Sequence, residues 1–570
     1  MSQHPPFLSS RRMIRGTLAT LFLLQPLVGT LADTGAGTEN RNWVDGPLPL
    51  LTSPARYPVQ LQEIFITMRD GTQLGAQLNL PQGVPDGPRP CVLLPNGYGH
   101  NTATGRGVEP ILKDLVMRGY AGVHVSRRGV GNSGGERNLY TKYAEDGYEI
   151  VEWMARQPWC DGKVGAIGAS LLGIDEMLIA KAAPPSLKAI IPYVACGNCY
   201  EYLWYRGGTL PGPDRVARGP EEYNPAAAHR DFDEFWRAQT TIAPDHRKLA
   251  ADGIAVLAGG GWRDYITPGN IRAFEDMAGR HNMLIIGPDS HALTPTTNVL
   301  PYSWLEYSAM WMDHYLRGLN NGVDKQPRAL IYVQGPNQWR LEETWPIPDT
   351  DTAKLYLRSA PSGSARSLND GSLLAKGSGK NGATVSIAYS PLTGPFLPTV
   401  LNGPPKADQR EDEANVLTWT TRPLEVATEV TGRIMFTFWA EVRGTDADFV
   451  AQLTDVAPDG TSTQVHPGFL NASHAHSRSY PTPPEPGRIE KYEMEILPTS
   501  YVFNAGHRIR LALAGGAAAG TTVVGAGKSP FPAVIKIYQD RRHASYLELP
   551  IVGTSWRSLT SPEEEEREER

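Results

Sequence analysis

Short apolar runs alternate with stretches of helical periodicity between about residues 90 and 290. Apolar residues recur at helical spacing in EPILKDLVMRG and YAEDGYEIVEWMARQ. The continuous apolar runs, each predicted to be a buried strand, are CVLLPNG, AGVHVS, KVGAIG, LKAIIPYV, IAVLAGG and NMLIIG. Because strands that alternate with helices pair in parallel, this order predicts an α/β fold in which helices cover both faces of a parallel sheet.

Two other regions depart from this alternation. Residues 196–250 are rich in Trp, Tyr, Arg and Pro and fit no strand-helix unit, so we predict a helical cap inserted over the active edge of the sheet. From about residue 328 the chain shows short strands separated by turn residues, which predicts a separate antiparallel β-sandwich of the jelly-roll type. These strands are ALIYVQG, AKLYLRS, RIMFTFWAEV, DFVAQLTDVAPDG, RIRLALAGG and AVIKIYQ.

The same patterns predict the domain boundaries. A hairpin, EIFITMRDGTQLGAQLNLP, opens the α/β domain and turns at Arg69-Asp70-Gly71. The predicted order is a signal peptide at 1–32, an N-terminal arm at 33–58, the α/β domain at 59–195 and 251–327, the cap at 196–250, the β-sandwich at 328–555 and a charged tail at 556–570.

The N-terminus has the pattern of an export signal. Arg11, Arg12 and Arg15 precede the apolar stretch LATLFLLQPLVGTLA, which ends in small residues. The stretch is short and interrupted by Gln25 and Pro26, which favours a cleaved peptide over the alternative of an uncleaved membrane anchor. We therefore expect an exported protein, secreted or periplasmic, without a membrane span after cleavage.

Composition and charge narrow the classes of partner. Hydrophobic residues make up 41% of the chain and charged residues 20%, as in a folded globular protein, and the net charge of −6 gives no basic surface for nucleic acid. No HExxH, P-loop or paired zinc motif occurs, so we expect neither a metal nor a cofactor.

The four cysteines are too few for a disulfide scaffold. Cys196 and Cys199 form a C-x-x-C, but a second ligand pair at zinc spacing and the flanking context of a redox motif are both missing. We predict core or loop cysteines. The sequon at Asn471 would carry a glycan only if a eukaryotic cell secreted the protein.

One serine stands where a strand gives way to a helix. In GAIGASLLG, Ser170 follows the predicted strand KVGAI and precedes the helix-like LLGIDEMLIAKAA, with Gly168 two residues before it. This is the arrangement of an α/β-hydrolase nucleophile, in which small neighbours allow a sharp turn that exposes the hydroxyl. Gly173 lies one residue later than in the common G-x-S-x-G, and a small residue at an ordinary strand-helix junction is the alternative interpretation.

A serine nucleophile requires a histidine base and a carboxylate, which follow it in the order acid, then histidine, in this fold. Asp264 comes just after IAVLAGG, and His291 comes just after NMLIIG. Strand ends at the carboxyl edge of a parallel sheet converge, so both side chains are predicted to lie beside Ser170. Asp289 is the main rival for the acid.

An oxyanion hole would complete the site. The backbone N–H of Leu171, directly after the serine, supplies one donor. Tyr98, in the loop PNGYGHN after the first parallel strand, is the side chain best able to supply the second, with a packing tyrosine as the alternative.

Taken together, these segments resemble the CocE/NonD family of serine hydrolases over nearly the whole mature chain. The resemblance rests on RRGVGNSGGE, QPWCDGKVGAIGASLLG, GGWRDY, GPDSH, DFVAQLTDVAPDG and NAGHRIRLALAG. It implies an α/β-hydrolase domain with an inserted helical cap and a C-terminal jelly roll. It further implies Ser170 as nucleophile, His291 as base, Asp264 as orienting acid, and Tyr98 with Leu171 as the oxyanion hole.

The chain departs from the family pattern at two positions. Leu171 stands where the family usually has Tyr, which leaves the backbone N–H in place. Ser126 stands where an aspartate usually opens a D-x-R-G turn, which puts the local support of that loop in doubt.

The expected function is hydrolysis of a carboxylic ester through an acyl-enzyme, and the expected partner is a small-molecule ester or amide substrate. We see no obvious acidic cluster for a substrate amine, which favours a neutral or aromatic acyl group. The alternatives are an amidase or X-prolyl-type peptidase, an acyl-transfer or ring-closing enzyme, and a non-catalytic jelly-roll binding protein. Aromatic residues proposed to line the substrate pocket, or else to form the core of the cap, are Trp204, Tyr205, Phe235, Trp236, Trp262 and Tyr265.

Overall fold

An eleven-stranded sheet lies in the N-terminal part of the computed structural model, which describes residues 42–44, 51–137, 142–211, 220–277, 279–291, 303–379, 381–390, 407–516 and 530–553. Its strands β1 to β11 are Asn42–Trp43, Val59–Thr67, Gln73–Pro81, Arg89–Asn96, Ala121–Ser126, Cys160–Ala169, Leu187–Tyr193, Ala255–Gly261, Asn282–Gly287, Ala329–Val333 and Gln338–Glu342. They are ordered β1-β11-β10-β9-β8-β7-β6-β4-β5-β3-β2. The seven from β10 to β5 in this order run parallel, as the alternating pattern predicts.

Helices cover both faces of this sheet. Helices α1 to α10 of the described residues are Ala103–Gly107, Glu109–Met117, Tyr143–Ala155, Leu171–Lys181, Pro220–Ala228, Glu234–Gln239, Ala243–Ala251, Pro268–Asp276, Trp304–Arg317 and Arg410–Glu413, with single turns at Tyr200–Trp204, Arg206–Gly208 and Val323–Lys325. Helices α3 and α4 pack on one face, and α2 and α9 pack on the other. The segment between β7 and β8 contributes α5 to α7 and two of the single turns, which form the predicted helical cap.

One predicted strand belongs to a different sheet. ALIYVQG was expected in the β-sandwich, but β10 pairs in parallel with β9, and β11 returns antiparallel to it. The α/β sheet therefore extends past the predicted boundary at residue 328. A short apolar strand has the same composition in either sheet, and only its partner decides where it belongs.

The C-terminal β domain is a second sheet of eleven strands within the described residues. Strands β12 to β22 are Thr350–Pro361, Gly371–Leu374, Thr384–Tyr389, Leu417–Thr420, Thr428–Arg443, Asp448–Val456, Ser462–Asn471, Ile489–Phe503, Arg508–Ala514, Ala533–Tyr538 and Tyr546–Val552. An added pairing of β16 with β22 closes the sheet on itself. The predicted β-sandwich of the jelly-roll type is thus a closed sheet around its own apolar core.

The two sheets and the cap share a continuous interface. One apolar cluster contains residues of the first sheet together with Trp204 and Trp236 of the cap and Val450 and Phe469 of the β domain. Arg340 on β11 is fully buried and donates two hydrogen bonds to the Glu429 carboxylate on β16, at 2.9 and 2.7 Å. The β domain is therefore packed and charge-paired against the α/β domain.

The cysteine prediction was incomplete, because all four cysteines are paired. Cys91 of β4 forms a disulfide with Cys160 of β6, and Cys196 forms one with Cys199. The first bond joins adjacent parallel strands that are 69 residues apart in sequence, a proximity that only the sheet order reveals. Asn471 is fully buried, so the folded protein has no room for a glycan at that sequon.

Several predicted segments lie outside the described residues. They are the signal peptide at 1–32, the tail at 556–570 and most of the N-terminal arm. The described part of the arm includes β1, which pairs with β11. In the part of the chain that the structure describes, no helix combines the length and the apolar character needed to cross a membrane.

Candidate active site

Ser170 occupies a sharp turn between β6 and α4. Its backbone has φ 59° and ψ −122°, in the left-handed half of conformational space that a residue with a side chain rarely adopts. Two glycines permit the turn. A Cβ at Gly168 would lie 2.5 Å from the Leu172 Cβ, and one at Gly173 would lie 3.0 Å from the Ala195 Cβ. The shifted second glycine is therefore explained by its close approach to the chain after β7.

His291 lies beside the serine. Its Nε2 is 2.8 Å from the Ser170 Oγ, and its Nδ1 contacts the Asp264 Oδ2. A carboxylate oxygen only accepts, so Nδ1 donates to Asp264 and Nε2 accepts the serine hydroxyl proton. This hydrogen-bond chain is the arrangement in which an imidazole can remove a proton from a hydroxyl.

Asp264 is the carboxylate that contacts the imidazole. It is fully buried, and its Oδ1 accepts hydrogen bonds from the backbone N–H groups of Ile266 and Thr267, both at 2.7 Å. The rival Asp289 instead accepts a hydrogen bond from the Arg263 N–H at its backbone oxygen, at 3.1 Å. The Asp264 carboxylate, which follows strand β8, is thus in contact with the His291 ring.

Tyr98 and Leu171 lie on the other side of the serine. The Tyr98 hydroxyl donates to the Ser170 Oγ at 3.4 Å, and the Tyr98 N–H is held by the Asn96 Oδ1 at 2.8 Å. Leu171 begins α4, so its N–H belongs to the first turn, whose amides have no acceptor within the helix. A Cβ at Gly97 would lie 2.4 Å from the Leu171 Cδ2, so the glycine makes room for this side chain.

Ser126, where the family pattern has an aspartate, supports the loop that carries Tyr98. Its Oγ accepts the His100 N–H at 2.8 Å and also contacts the His100 Nδ1 at 2.7 Å. His100 in turn contacts the Glu63 Oε2 through Nε2, at 2.9 Å. Arg128, two residues further on, pairs with Asp146. The support of this loop, in doubt from the sequence, thus comes through His100, which lies 26 residues before Ser126.

Two buried acidic residues on α4, the helix that follows the serine, were missed by sequence reasoning. Asp175 on α4 is fully buried and accepts from the Arg127 Nε at 3.0 Å. Glu176, next to it, accepts the Ile191 N–H at 2.7 Å, and burial raises its pKa well above the ordinary value. Acidic residues in an otherwise apolar helix, LLGIDEMLIAK, were the available indication.

The aromatic residues proposed to line the substrate pocket fall into two groups. Trp204, Tyr205 and Trp236 are buried against one another and against Tyr200, with ring centroids 5.3 to 6.1 Å apart, and so form the core of the cap. Phe235 stacks on the cap residue His229 at 4.1 Å. These four residues belong to the cap, the alternative kept open above.

The remaining two aromatic candidates flank Asp264. The Tyr265 ring lies 4.9 Å from the His291 ring and so borders the hydrogen-bond chain directly. The Trp262 indole donates to the Tyr332 backbone oxygen at 2.7 Å and packs on Trp345. Among the six candidates, Tyr265 thus contacts His291.

Comparison with known proteins gives matches to both halves of the chain. Residues 70–217 match the X-Pro dipeptidyl-peptidase (S15 family) model, and residues 321–548 match the X-Pro dipeptidyl-peptidase C-terminal non-catalytic domain. The cocaine esterase of Rhodococcus sp. (strain MB1 Bresler) is 27% identical over 86% of this chain and 98% of its own length. A putative serine esterase of Mycobacterium bovis is 25% identical over 91% of this chain and all of its own.

A solved structure agrees with these relatives. A CocE/NonD family hydrolase from Staphylococcus aureus, 20% identical, superposes with a TM-score of 0.68 over 86% of this chain and 93% of its own. At that identity the match shows the shared fold. Family models, full-length relatives and fold together show that this chain belongs to the CocE/NonD family of X-Pro dipeptidyl-peptidase-like hydrolases and is a hydrolytic enzyme of the α/β-hydrolase type.

Proposed function

We propose that the protein hydrolyses carboxylic esters through an acyl-enzyme on Ser170, with His291 as general base and acid and Asp264 as the orienting carboxylate. The observation that carries the proposal is the hydrogen-bond chain from the Ser170 Oγ through the His291 ring to the buried Asp264. A serine hydroxyl is a weak nucleophile until such a base removes its proton.

The proposed reaction has two steps. The Ser170 Oγ attacks the ester carbonyl while His291 takes the hydroxyl proton, and the carbonyl oxygen becomes an oxyanion that the Tyr98 hydroxyl and the Leu171 N–H stabilise. The tetrahedral intermediate collapses as His291 gives the proton to the departing alcohol. Water, deprotonated by His291, then attacks the acyl-enzyme, and the acid leaves as Ser170 recovers its proton.

The direct test compares the wild type with Ser170→Ala. We expect a fluorophosphonate probe to label the wild type at Ser170, and we expect the alanine variant to lose both the label and about 10⁴-fold or more of the ester turnover. A wild type that is neither labelled nor active on a broad ester panel would contradict the proposal. Circular dichroism and melting temperature establish that the variant is folded.

X-prolyl-type peptidase activity is the second candidate, favoured by the match of residues 70–217 to the S15 family model. It uses the same three residues, so only the substrate distinguishes it. An X-Pro p-nitrophenyl ester and the corresponding p-nitroanilide differ only in the O or N–H bound to the carbonyl carbon, so this matched pair separates esterase from peptidase activity. Turnover of the X-Pro p-nitroanilide faster than that of simple acyl esters would favour the peptidase.

We also propose that the protein is exported. The support is the arginine-led apolar stretch before residue 33, together with two disulfides, which form stably in oxidising compartments. N-terminal sequencing of the protein recovered from the periplasm or medium tests this. A protein that stays in the cytoplasm with its leader intact would contradict it.

A further inference from the structure

The cap turn Arg206–Gly208 lies where the cap, the α/β domain and the β domain meet. Arg206 is 4% exposed, and its Nη2 donates to the backbone oxygen of Tyr202 at 2.7 Å and to that of Tyr265. The guanidinium also lies 5.9 Å from the ring centroid of Phe469, on strand β18. One side chain of the cap thus contacts both the turn that carries Asp264 and the β domain.

The β domain sets the position of this turn. Gly207 has φ +60°, and a Cβ there would lie 2.0 Å from the Phe469 backbone oxygen. Gly208 has φ +78°, and a Cβ there would lie 2.3 Å from the His474 Cβ. Both positions need glycine for the backbone conformation and for the close approach. Arg206 is therefore the first residue of a turn that packs closely against β18 and the loop after it.

Among the described residues, the Arg206 guanidinium contacts backbone oxygens and the Phe469 ring and forms no ion pair with a carboxylate. Its Nε and Nη1 are buried without a hydrogen-bond partner among the described residues. The titratable groups that act on it are Glu201, Tyr202, Asp264 and Tyr265. Glu201 already pairs with Arg478 at 3.0 Å.

Burial lowers the pKa of the Arg206 guanidinium to about 10, so it remains charged at neutral pH. A buried cation acts over longer distances than a surface charge, because the protein interior screens it weakly. This charge acts on two carboxylates, Glu201 and Asp264, and Asp264 is fully buried and lies one residue before the carbonyl that Arg206 holds.

We propose that Arg206 is a positioning residue for the hydrolytic reaction: it fixes the turn 264–266 from the cap side and stabilises the Asp264 carboxylate, which in turn holds the His291 ring in line with Ser170. The proposal rests on the proposed function of these three residues. It also gives the β domain a role in the reaction, because β18 holds the turn that carries Arg206.

The positive charge has a consequence that a purely structural role lacks. Ser170, Asp264 and Tyr265 contact His291, and Tyr193 and Arg206 interact electrostatically with Asp264. Arg206 is the cation of this group, and a cation opposes the addition of a second positive charge near it. The acid limb of the pH profile is the rise of kcat/KM with pH on its acidic side. Removal of the Arg206 charge should therefore move this acid limb to higher pH.

The experiment compares Arg206→Gln with Arg206→Lys. For Arg206→Gln we expect kcat to fall about 10- to 100-fold with little change in KM, and the acid limb to rise by about 0.5 pH unit or more. Arg206→Lys keeps the charge, so it should restore the wild-type acid limb even where kcat stays reduced. The matched control is Arg237→Gln, a cap arginine that lies 5.2 Å from the Phe232 ring and should leave the profile unchanged.

A second pair of variants tests the anchoring without removing the charge. Gly207→Ala forces a methyl group against the Phe469 oxygen and should lower kcat several-fold, with the acid limb near its wild-type position. Gly253→Ala is the control, because Gly253 has φ +74° but nothing within 4 Å of a Cβ. If Arg206→Gln fails to fold, Gly207→Ala and Gly253→Ala still test whether the position of the turn that carries Arg206 affects kcat.

The outcomes separate this inference from the proposed function. A folded Arg206→Gln with wild-type kcat and pH profile would overturn the role of Arg206, while Ser170 labelling would still support the hydrolase. An unlabelled and inactive wild type would remove the proposed function itself. A Gly207→Ala variant as active as Gly253→Ala would overturn the anchoring by the β domain.

Discussion

The two sheets of this protein have the same number of described strands and opposite consequences for chemistry. In the first, seven neighbouring strands run parallel, so their carboxyl ends meet at one edge, and the loops after β4, β6, β8 and β9 bring Tyr98, Ser170, Asp264 and His291 together. In the second, all described pairings but one are antiparallel, so successive loops alternate between the two ends.

Buried polar groups reflect this difference. On the closed sheet, Arg510 pairs with Glu413, and Asn471 donates to Asp446 and Asp448, all within the β domain or its helix α10. In the first sheet, a comparable hydrogen-bond chain ends at the Ser170 hydroxyl. Paired charges of the first kind hold a fold together, whereas an edge where several loops converge can act on a substrate.

The largest expected effect concerns the edge of the first sheet. Asp264→Asn leaves the volume unchanged but removes the acceptor that fixes the His291 tautomer, and we expect kcat to fall about 10⁴-fold, equivalent to about 5.5 kcal/mol. Steady-state kinetics on an activated ester measure it. Asp289→Asn is the matched control, and a larger loss there than at Asp264 would reverse the assignment of the acid.

The next effect should appear in stability rather than in catalysis. Arg340→Met leaves the Glu429 carboxylate buried without its partner, and we expect the free energy of unfolding to fall by about 3 to 5 kcal/mol with kcat of the folded enzyme nearly unchanged. Urea unfolding followed by circular dichroism measures it. Arg410→Met, which removes an exposed pair with Asp408, should have little effect. Equal losses of unfolding free energy in Arg340→Met and Arg410→Met would contradict the distinction between a buried and an exposed ion pair.

A smaller loss of activity is expected at the proposed oxyanion hole. Tyr98→Phe removes a hydroxyl donor and should lower kcat about 10²-fold, or about 2.7 kcal/mol, with KM little changed. Tyr205→Phe removes a cap hydroxyl that donates to the Ala226 backbone oxygen at 2.8 Å, and it should cost only about 1 kcal/mol of stability. If Tyr98→Phe keeps the wild-type kcat, Tyr98 is a packing residue whose hydroxyl does not stabilise the oxyanion.

The smallest effect is a dependence of stability on pH from Glu176. Burial raises the pKa of this carboxyl above 4.5, so the folded state keeps a proton that the unfolded state has lost. Its stabilising contribution is therefore full below about pH 4.5 and declines as pH rises toward the folded pKa, by up to about 1.4 kcal/mol per pH unit.

Glu176→Gln removes this titration, so its stability relative to the wild type should rise with pH above about 4.5. Melting temperatures at a series of pH values measure the difference. Glu152→Gln, at a half-buried carboxylate that accepts from the Ser186 N–H at 2.9 Å, is the control. A constant difference between Glu176→Gln and the wild type at all pH values would show that the carboxyl is charged in the folded state.

Local patterns predicted much of the α/β domain. The strands and helices from CVLLPNG to NMLIIG follow from their periodicity, and the order of Ser170, Asp264 and His291 after successive strands follows from the chemistry of the fold. The position of β10 did not follow, because a five-residue apolar strand carries no information about its neighbour. The Cys91–Cys160 pairing likewise depends on β4 and β6 being adjacent in the sheet.

The sequence by itself determined the fold class, the sharp turn at Ser170 and the residue types available at the carboxyl edge, because these depend on the periodicity of the chain and on neighbours a few residues away. The tertiary structure alone decided which acid faces His291, how Ser126 and His100 support the Tyr98 loop, and that Arg206 reaches the turn after Asp264. These contacts join residues 26 or more positions apart, and their geometry is set by how sheet, cap and β domain pack.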